Sequence, residues 1–162
     1  MELRRVGTGI HDQRAWYVAD ATDLRAAVAF TSPSPHFVLL LAADTRAATG
    51  PDLVDVASTF VRLGASYVCC WGPGAERLES CFDEAGFLLD PEPSDSGDVL
   101  MTTSHENESL EEAAWFAAWS TYPTARYLDS TKALLAVAIG RTDWSEQLAT
   151  YLGSGAPMQD EA

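Results

Sequence analysis

Basic residues are scarce in this chain. Ten Lys and Arg stand against 24 Asp and Glu in 162 residues, for a formal net charge of −14 and a pI near 4.3. A protein that grips a nucleic-acid duplex needs several clustered cations to displace condensed counterions. Here only Arg4 and Arg5 are adjacent, so nucleic acid and anionic membranes are excluded as partners. Cysteine is scarce too, and its count is odd: Cys69, Cys70 and Cys81. No CxxC pair signals a redox motif or a zinc knuckle. Neighbours on a strand point to opposite faces, so Cys69 and Cys70 do not bond to each other, and reduced thiols of a cytoplasmic protein are the expectation. The three histidines, His11, His36 and His105, show none of the paired spacings that zinc or iron sites use. No metal is therefore expected, and no cofactor. Neither GxGxxG nor GxxxxGK[ST] occurs. The nearest glycine-rich turn is Gly72-Pro73-Gly74, whose proline removes an N–H that a phosphate would use, and it reads as a tight strand-to-helix turn. Unbroken apolar runs such as Phe37–Ala43 and Ala133–Ile139 fall far short of a membrane span. The N-terminus has basic residues but no apolar h-region.

What is present is an alternation of apolar strands and amphipathic helices. The length fits one domain, here 1–152, with 153–162 expected as a disordered tail. Residues 1–14 are polar and mixed, and weak order is expected there. Trp16–Val18 is a short strand, followed by a helix over 22–30 capped by Asp20 or Thr22. His36–Ala43 is continuously apolar, as suits a central strand covered on both faces. Thr49 or Gly50 caps a helix that has Pro51 at its first position, carries Leu53, Val56 and Phe60 along one face, and ends at Gly64. Ser66–Trp71 is the next strand. A helix with Leu78, Cys81, Phe82 and Ala85 inside runs to Gly86, and Phe87–Leu89 reads as a short extended piece. Pro91–Gly97 reads as a flexible acidic loop and Val99–Met101 as a strand. After the polar turn 102–108, Ser109 and Glu112 form a capping box that opens a helix apolar on most sides from Ala113 to Trp119. Residues 120–132 connect it to the last strand, Ala133–Ile139. A second capping box, Asp143 with Glu146, opens the final helix. The expected fold is α/β: a three-layer, Rossmann-like, mostly parallel sheet of about five strands with helices on both faces. Right-handed crossovers put every strand's C-terminal end on one edge.

That edge collects Asp44, Trp71–Gly74, Thr103–Asn107 and Gly140–Thr142, which makes it the candidate site. In a catalytic role, His105 acts as general base, oriented by Glu106 or Asp44, with Ser104 or Cys70 as candidate nucleophiles. No GxSxG elbow surrounds Ser104. In a binding role, Trp71, Gly72, Thr103, Ser104 and Asn107 contact a ligand. In a structural role, the same Thr, Ser and Asn satisfy free N–H groups at the helix start, while Glu106 and Glu108 favour its positive end. Trp115 and Trp119 with Trp71, Trp144 and Phe116 line either the core or a pocket.

Trp71-Gly72 before an acidic helix, Thr102-Thr103-Ser104-His105-Glu106 before Leu110–Ala113 and Trp115-Phe116, and Ala133–Gly140 with Trp144 together resemble an uncharacterised family of small bacterial α/β domains. The resemblance covers roughly residues 36–152. It implies one recurring unit and transfers no activity.

The expected function is a non-catalytic binding or accessory domain that recognises a protein or small molecule at the C-terminal edge of the sheet. The alternative is a small hydrolase or transferase using His105 with Glu106 and Asp44. A third reading, an acidic decoy, requires carboxylates arrayed along one face.

Overall fold

In the computed structural model, the structure describes residues 1–90 and 99–158. Among these residues, six strands form one sheet: β1 (Arg4–Thr8), β2 (Ala15–Ala21), β3 (His36–Ala42), β4 (Ala65–Trp71), β5 (Met101–His105) and β6 (Thr131–Ile139). Their spatial order is β1-β2-β6-β3-β4-β5. Only β1 and β2 run antiparallel, and the other four pairings are parallel. The helices are α1 (Leu24–Ala27), α2 (Gly50–Leu63), α3 (Ala75–Leu88), α4 (Leu110–Trp119), α5 (Ala125–Leu128) and α6 (Thr142–Gly153). The protein is thus α/β with a mostly parallel sheet.

The central strands alternate between two cores. On β3, Val38 and Leu40 join α4 and α6, while Phe37, Leu39 and Leu41 join α1, α2 and α3. Leu39, Leu40 and Leu41 are each fully buried, and burying a leucine side chain is worth roughly 1.5–3 kcal/mol. A strand with apolar residues on both faces fits only where both faces are covered, which is why His36–Ala42 and Thr131–Ile139 lie side by side in the middle.

The helix starts follow local chemistry. Thr49 Oγ1 accepts from the Asp52 N–H at 3.2 Å, and Pro51 lies in the first turn, where no hydrogen bond is lost. Ser109 and Glu112 close a full capping box at α4. Gly64 ends α2 in the left-handed region at φ 116°. It is also pressed against the preceding loop: a Cβ there would lie 2.2 Å from the Pro35 carbonyl oxygen.

Six expectations are corrected. Residues Arg4–Thr8 form an edge strand, raising the count from five strands to six. An edge strand has one neighbour and needs no apolar run, so its RRVGT sequence did not signal it. Gly86 does not end α3, which continues to Leu88. That glycine is instead a packing site, since a Cβ there would meet Leu100 Cβ at 2.9 Å, and Phe87–Leu88 are helical. The strand expected at Val99–Met101 begins at Met101 and runs through the supposed polar turn to His105. The second capping box is absent: α6 has Arg141 as N-cap with no side-chain cap bond, and Asp143 instead holds the Arg141 guanidinium at 2.6 and 2.8 Å. The helix expected over 22–30 is a single turn, Leu24–Ala27, capped by Asp23.

Residues 91–98, which include the Pro91–Gly97 stretch expected as a flexible acidic loop, and residues 159–162 lie outside the described residues. Of the stretch read as a tail, Ala156 is buried. Its carbonyl accepts from Trp119 Nε1 at 2.8 Å, and the Pro157 carbonyl accepts from the Tyr151 hydroxyl at 2.6 Å. No described helix is long and apolar enough to cross a membrane.

The contrast between two glycines tests the Gly64 contact. Gly64→Ala is expected to lower stability by about 1–3 kcal/mol through left-handed strain and the clash with Pro35. Gly50→Ala, where an added Cβ meets nothing within 4 Å, is expected to change it little. Urea denaturation monitored by circular dichroism reads both.

Candidate functional site

The five parallel strands deliver their C-terminal ends to one edge, so residues far apart in the chain become neighbours there. Trp71 at the end of β4 pairs in register with His105 at the end of β5. α3 leaves β4 towards one face of the sheet and α4 leaves β5 towards the other. Adjacent strands whose helices depart on opposite faces leave a crevice between them, and ligands of open α/β sheets bind in such crevices.

In this protein that crevice is filled by the chain itself. The Gly74 N–H, at the start of α3, donates to Glu106 Oε1 at 2.8 Å. Gly74 has no side chain to cap the helix, and Glu106 supplies the missing acceptor from the neighbouring turn, where a negative charge is also favoured by the helix dipole. Trp71 Nε1 donates to the Glu108 carbonyl at 2.8 Å. Gly72, at φ 109°, lets the turn pass so close to the β3 end that a Cβ would lie 2.3 Å from the Ala43 oxygen. The turn therefore closes against both neighbours.

His105 is 4% exposed and lies beside the Phe116 ring of α4, with centroids 4.7 Å apart. Its Nδ1 is 2.9 Å from Glu108 Oε2 and its Nε2 is 2.8 Å from Thr103 Oγ1. A carboxylate only accepts, so Nδ1 carries a proton; in the neutral ring Nε2 then accepts from the Thr103 hydroxyl. The order carboxylate, imidazole, hydroxyl is that of a hydrolytic triad. Its surroundings differ from one. Thr103 lies in mid-strand, paired in register with Cys69.

The other expected residues are distributed as follows. Asp44 is bound to Arg46, with contacts of 3.0 and 2.7 Å to the guanidinium. The side-chain bond to Arg46 holds its carboxyl below the usual range. A depressed folded pKa means that the pair's contribution is present above the ordinary carboxylate pKa and lost as pH falls through the lowered one. Asp44 lines a groove between α1 and α2, on the face away from α4. His105 packs on the α4 side, so Asp44 and His105 are not brought together. Glu106 faces Gly74, and the partner of His105 is Glu108. Strand alternation turns Ser104 to the face opposite His105, where Thr102 also bonds Asp83 of α3. Asn107 is exposed in the turn. Burial pushes the Cys69 thiol up to about 12 and the Cys70 thiol well above its usual value, which leaves neither as a nucleophile. Trp71 stacks edge-on against Trp144 with centroids 5.0 Å apart, and the Arg141 guanidinium lies 4.6 Å from the Trp144 ring centroid.

The sequence reading missed Glu108 as the histidine's partner. The available signal was its spacing of three from His105, which becomes informative only once β5 is extended to residue 105.

The groove lined by Asp44 is a concave part of this edge. It has a volume of about 680 Å³, a floor of Leu24, Val28, Val56 and Ile139, and a rim with Asp23, Asp44, Asp52, Asp55 and Arg25. None of Thr103, His105 and Glu108 lines it.

A family model matches residues 15–154, that of the domain of unknown function DUF7684. The chain belongs to this family. The match takes in β2 to α6 and so the whole parallel part of the sheet. Among curated proteins, none matches the chain. The expectation of an uncharacterised family is met by this DUF7684 domain.

Two measurements test these assignments. Glu106→Ala removes one helix-end acceptor and is expected to cost about 1 kcal/mol, whereas His105→Ala empties a buried site and strands two partners, at about 2–4 kcal/mol. Denaturant titration of both variants at neutral pH orders them. In a thiol assay with Ellman's reagent, half-buried Cys81 is expected to react in the native protein, and buried Cys69 and Cys70 only after unfolding.

Proposed function

We propose that this DUF7684 domain is a non-catalytic binding or accessory domain, three-layered and Rossmann-like, that recognises a protein or small ligand at the C-terminal edge of its sheet. The observation that carries this reading is the internal use of the turn's reactive groups. Both ring nitrogens of His105 are engaged by Thr103 and Glu108, and Glu106 is held by the Gly74 N–H. These groups fix the shape of the edge, and a bound molecule would meet that shape.

In the small-ligand form, the ligand occupies the groove between α1 and α2, on the same edge. Its apolar floor and carboxylate rim suit an organic amine with a hydrocarbon body. The catalytic alternative, hydrolase or transferase chemistry by His105 with Glu106 and Asp44, is the weaker reading because those three side chains have separate partners: Glu108 and Thr103, Gly74, and Arg46.

Thermal-shift and calorimetric titrations with putrescine, spermidine and tyramine test the proposal. A rise in melting temperature with at least one amine is expected, reduced in Asp44→Asn and Asp55→Asn and retained in His105→Gln. Hydrolysis of p-nitrophenyl acetate that disappears in His105→Gln would replace it with the catalytic reading.

A further inference from the structure

The sheet has two lateral edges, and they are built differently. β1 carries Arg4 and Arg5, both exposed, and its pairing with β2 is broken by a register shift between Arg5 and Gly7. Charged residues and bulges are the usual guards of an edge strand. β5, Met-Thr-Thr-Ser-His, has no Lys, Arg, Asp or Glu and pairs with β4 in unbroken register. Among the described residues, nothing pairs with its other side. Alternate residues of β5 thus present their N–H and C=O groups outward as a template for another strand, and Thr is among the residues that favour strand pairing.

The surroundings of β5 specify what would pair there. α3 packs alongside it and carries Glu79 and Asp83, one helical turn apart. Thr102 of β5 bonds Asp83 directly. Burial and the nearby Asp83 raise the Glu79 carboxyl above its usual value, as crowded like charges do. At the far end of the strand stand Glu106 and Glu108. Among the described residues, no Lys or Arg forms an ion pair with any of these four carboxylates. At the near end lies exposed apolar surface: Phe87 (79% exposed), Leu88 (68%), Val99 and Met101 (38%). Among the described residues the edge is therefore unpaired, acidic along one flank and apolar at its start.

We infer that β5 is a docking edge for an extended segment of a basic partner protein, which adds to the sheet as a further strand. Main-chain hydrogen bonds to β5 supply affinity, and alternate side chains supply specificity. Lys or Arg on the partner strand reaches Glu79 and Asp83, and its apolar residues cover Met101 and Phe87. Pairing of β5 with a second copy's β5 would oppose like carboxylates between two chains that each carry −14, a costly juxtaposition. The inference goes beyond the C-terminal-edge reading. It concerns the lateral edge of the sheet, and the amine titrations above neither support nor weaken it.

Backbone ¹⁵N NMR of the whole chain, titrated with a synthetic decapeptide of alternating Lys and Val, tests it. Shift changes concentrated in residues 101–106, with slowed hydrogen exchange at alternate β5 amides, are expected. A Lys–Gly alternating decapeptide carries the same charge with low strand propensity and is expected to bind more weakly, and a Glu–Val decapeptide not at all. Met101→Lys, at an exposed position, places a like charge on the edge and is expected to weaken binding about tenfold. The double variant Glu79→Gln with Asp83→Asn, which keeps an acceptor for Thr102, is expected to weaken it about threefold and to flatten its salt dependence. Native-like spectra of the free variants establish that they fold. Shift changes spread over the acidic surface, equal binding of the Lys–Gly peptide, indifference to Met101→Lys, or self-association of the chain through β5 or from β1 to β5 would overturn the inference.

Discussion

The structure depends on a late arrival. β6 comes after every other strand in the chain, yet it lies in the middle of the sheet, between β2 and β3. Residues Ala133–Ala138 are buried on both faces, and each pairs with a residue of β2 on one side and of β3 on the other. Without β6, β2 and β3 have no neighbour in common, and α6 has no strand to follow. The same insertion shapes the edge. α2 departs from β3 to one face and α6 departs from β6 to the other, and a groove opens between α1 and α2 where those departures separate.

The polar turn after β5 shows how a site-like sequence becomes a structural fastening. Its carboxylates and its histidine all have partners close at hand. Glu106 finishes a helix that its own sequence, beginning at Gly74, leaves uncapped. Glu108 fixes the proton of His105 on Nδ1, and Thr103 takes the other nitrogen. An imidazole held this way has a defined tautomer and a defined orientation but little access to solvent. The Trp144 ring under Arg141 and the carboxylate rim beside Asp44 stand at the same edge, together with exposed Glu106, Asn107 and Glu108.

Where apolar periodicity governs, the sequence made the fold legible. Phe37–Ala42, Tyr67–Cys70 and Ala133–Ala138 are buried on both faces and announce themselves by their apolar runs, and Thr49-Gly50-Pro51 and Ser109–Glu112 announce their helices by capping chemistry. The lateral edges were not legible. β1 and most of β5 carry polar residues because only one neighbour and partial cover are required of them, so β1 read as weakly ordered and β5 as a turn. Gly86 misled for a related reason: a glycine that makes room for Leu100 looks the same in sequence as one that ends a helix. At the site, the gathering of Asp44, Trp71, His105 and Gly140 along one sheet edge followed from alternation alone. The direction in which each side chain points did not, because it depends on strand phase, and an error of a few residues in β5 was enough to hide the pairing of His105 with Glu108.

The Trp71–Trp144 contact has a practical side. Two indoles 5.0 Å apart and nearly perpendicular, at 86°, are close enough for their electronic transitions to couple, and they belong to separate segments, β4 and the first turn of α6. One is tethered to the Glu108 carbonyl and the other lies under a guanidinium. Anything that shifts the β5–α4 turn relative to α6 changes the angle between the two chromophores. The domain thus carries a built-in optical gauge at the C-terminal edge of its sheet, readable in near-ultraviolet circular dichroism without any label.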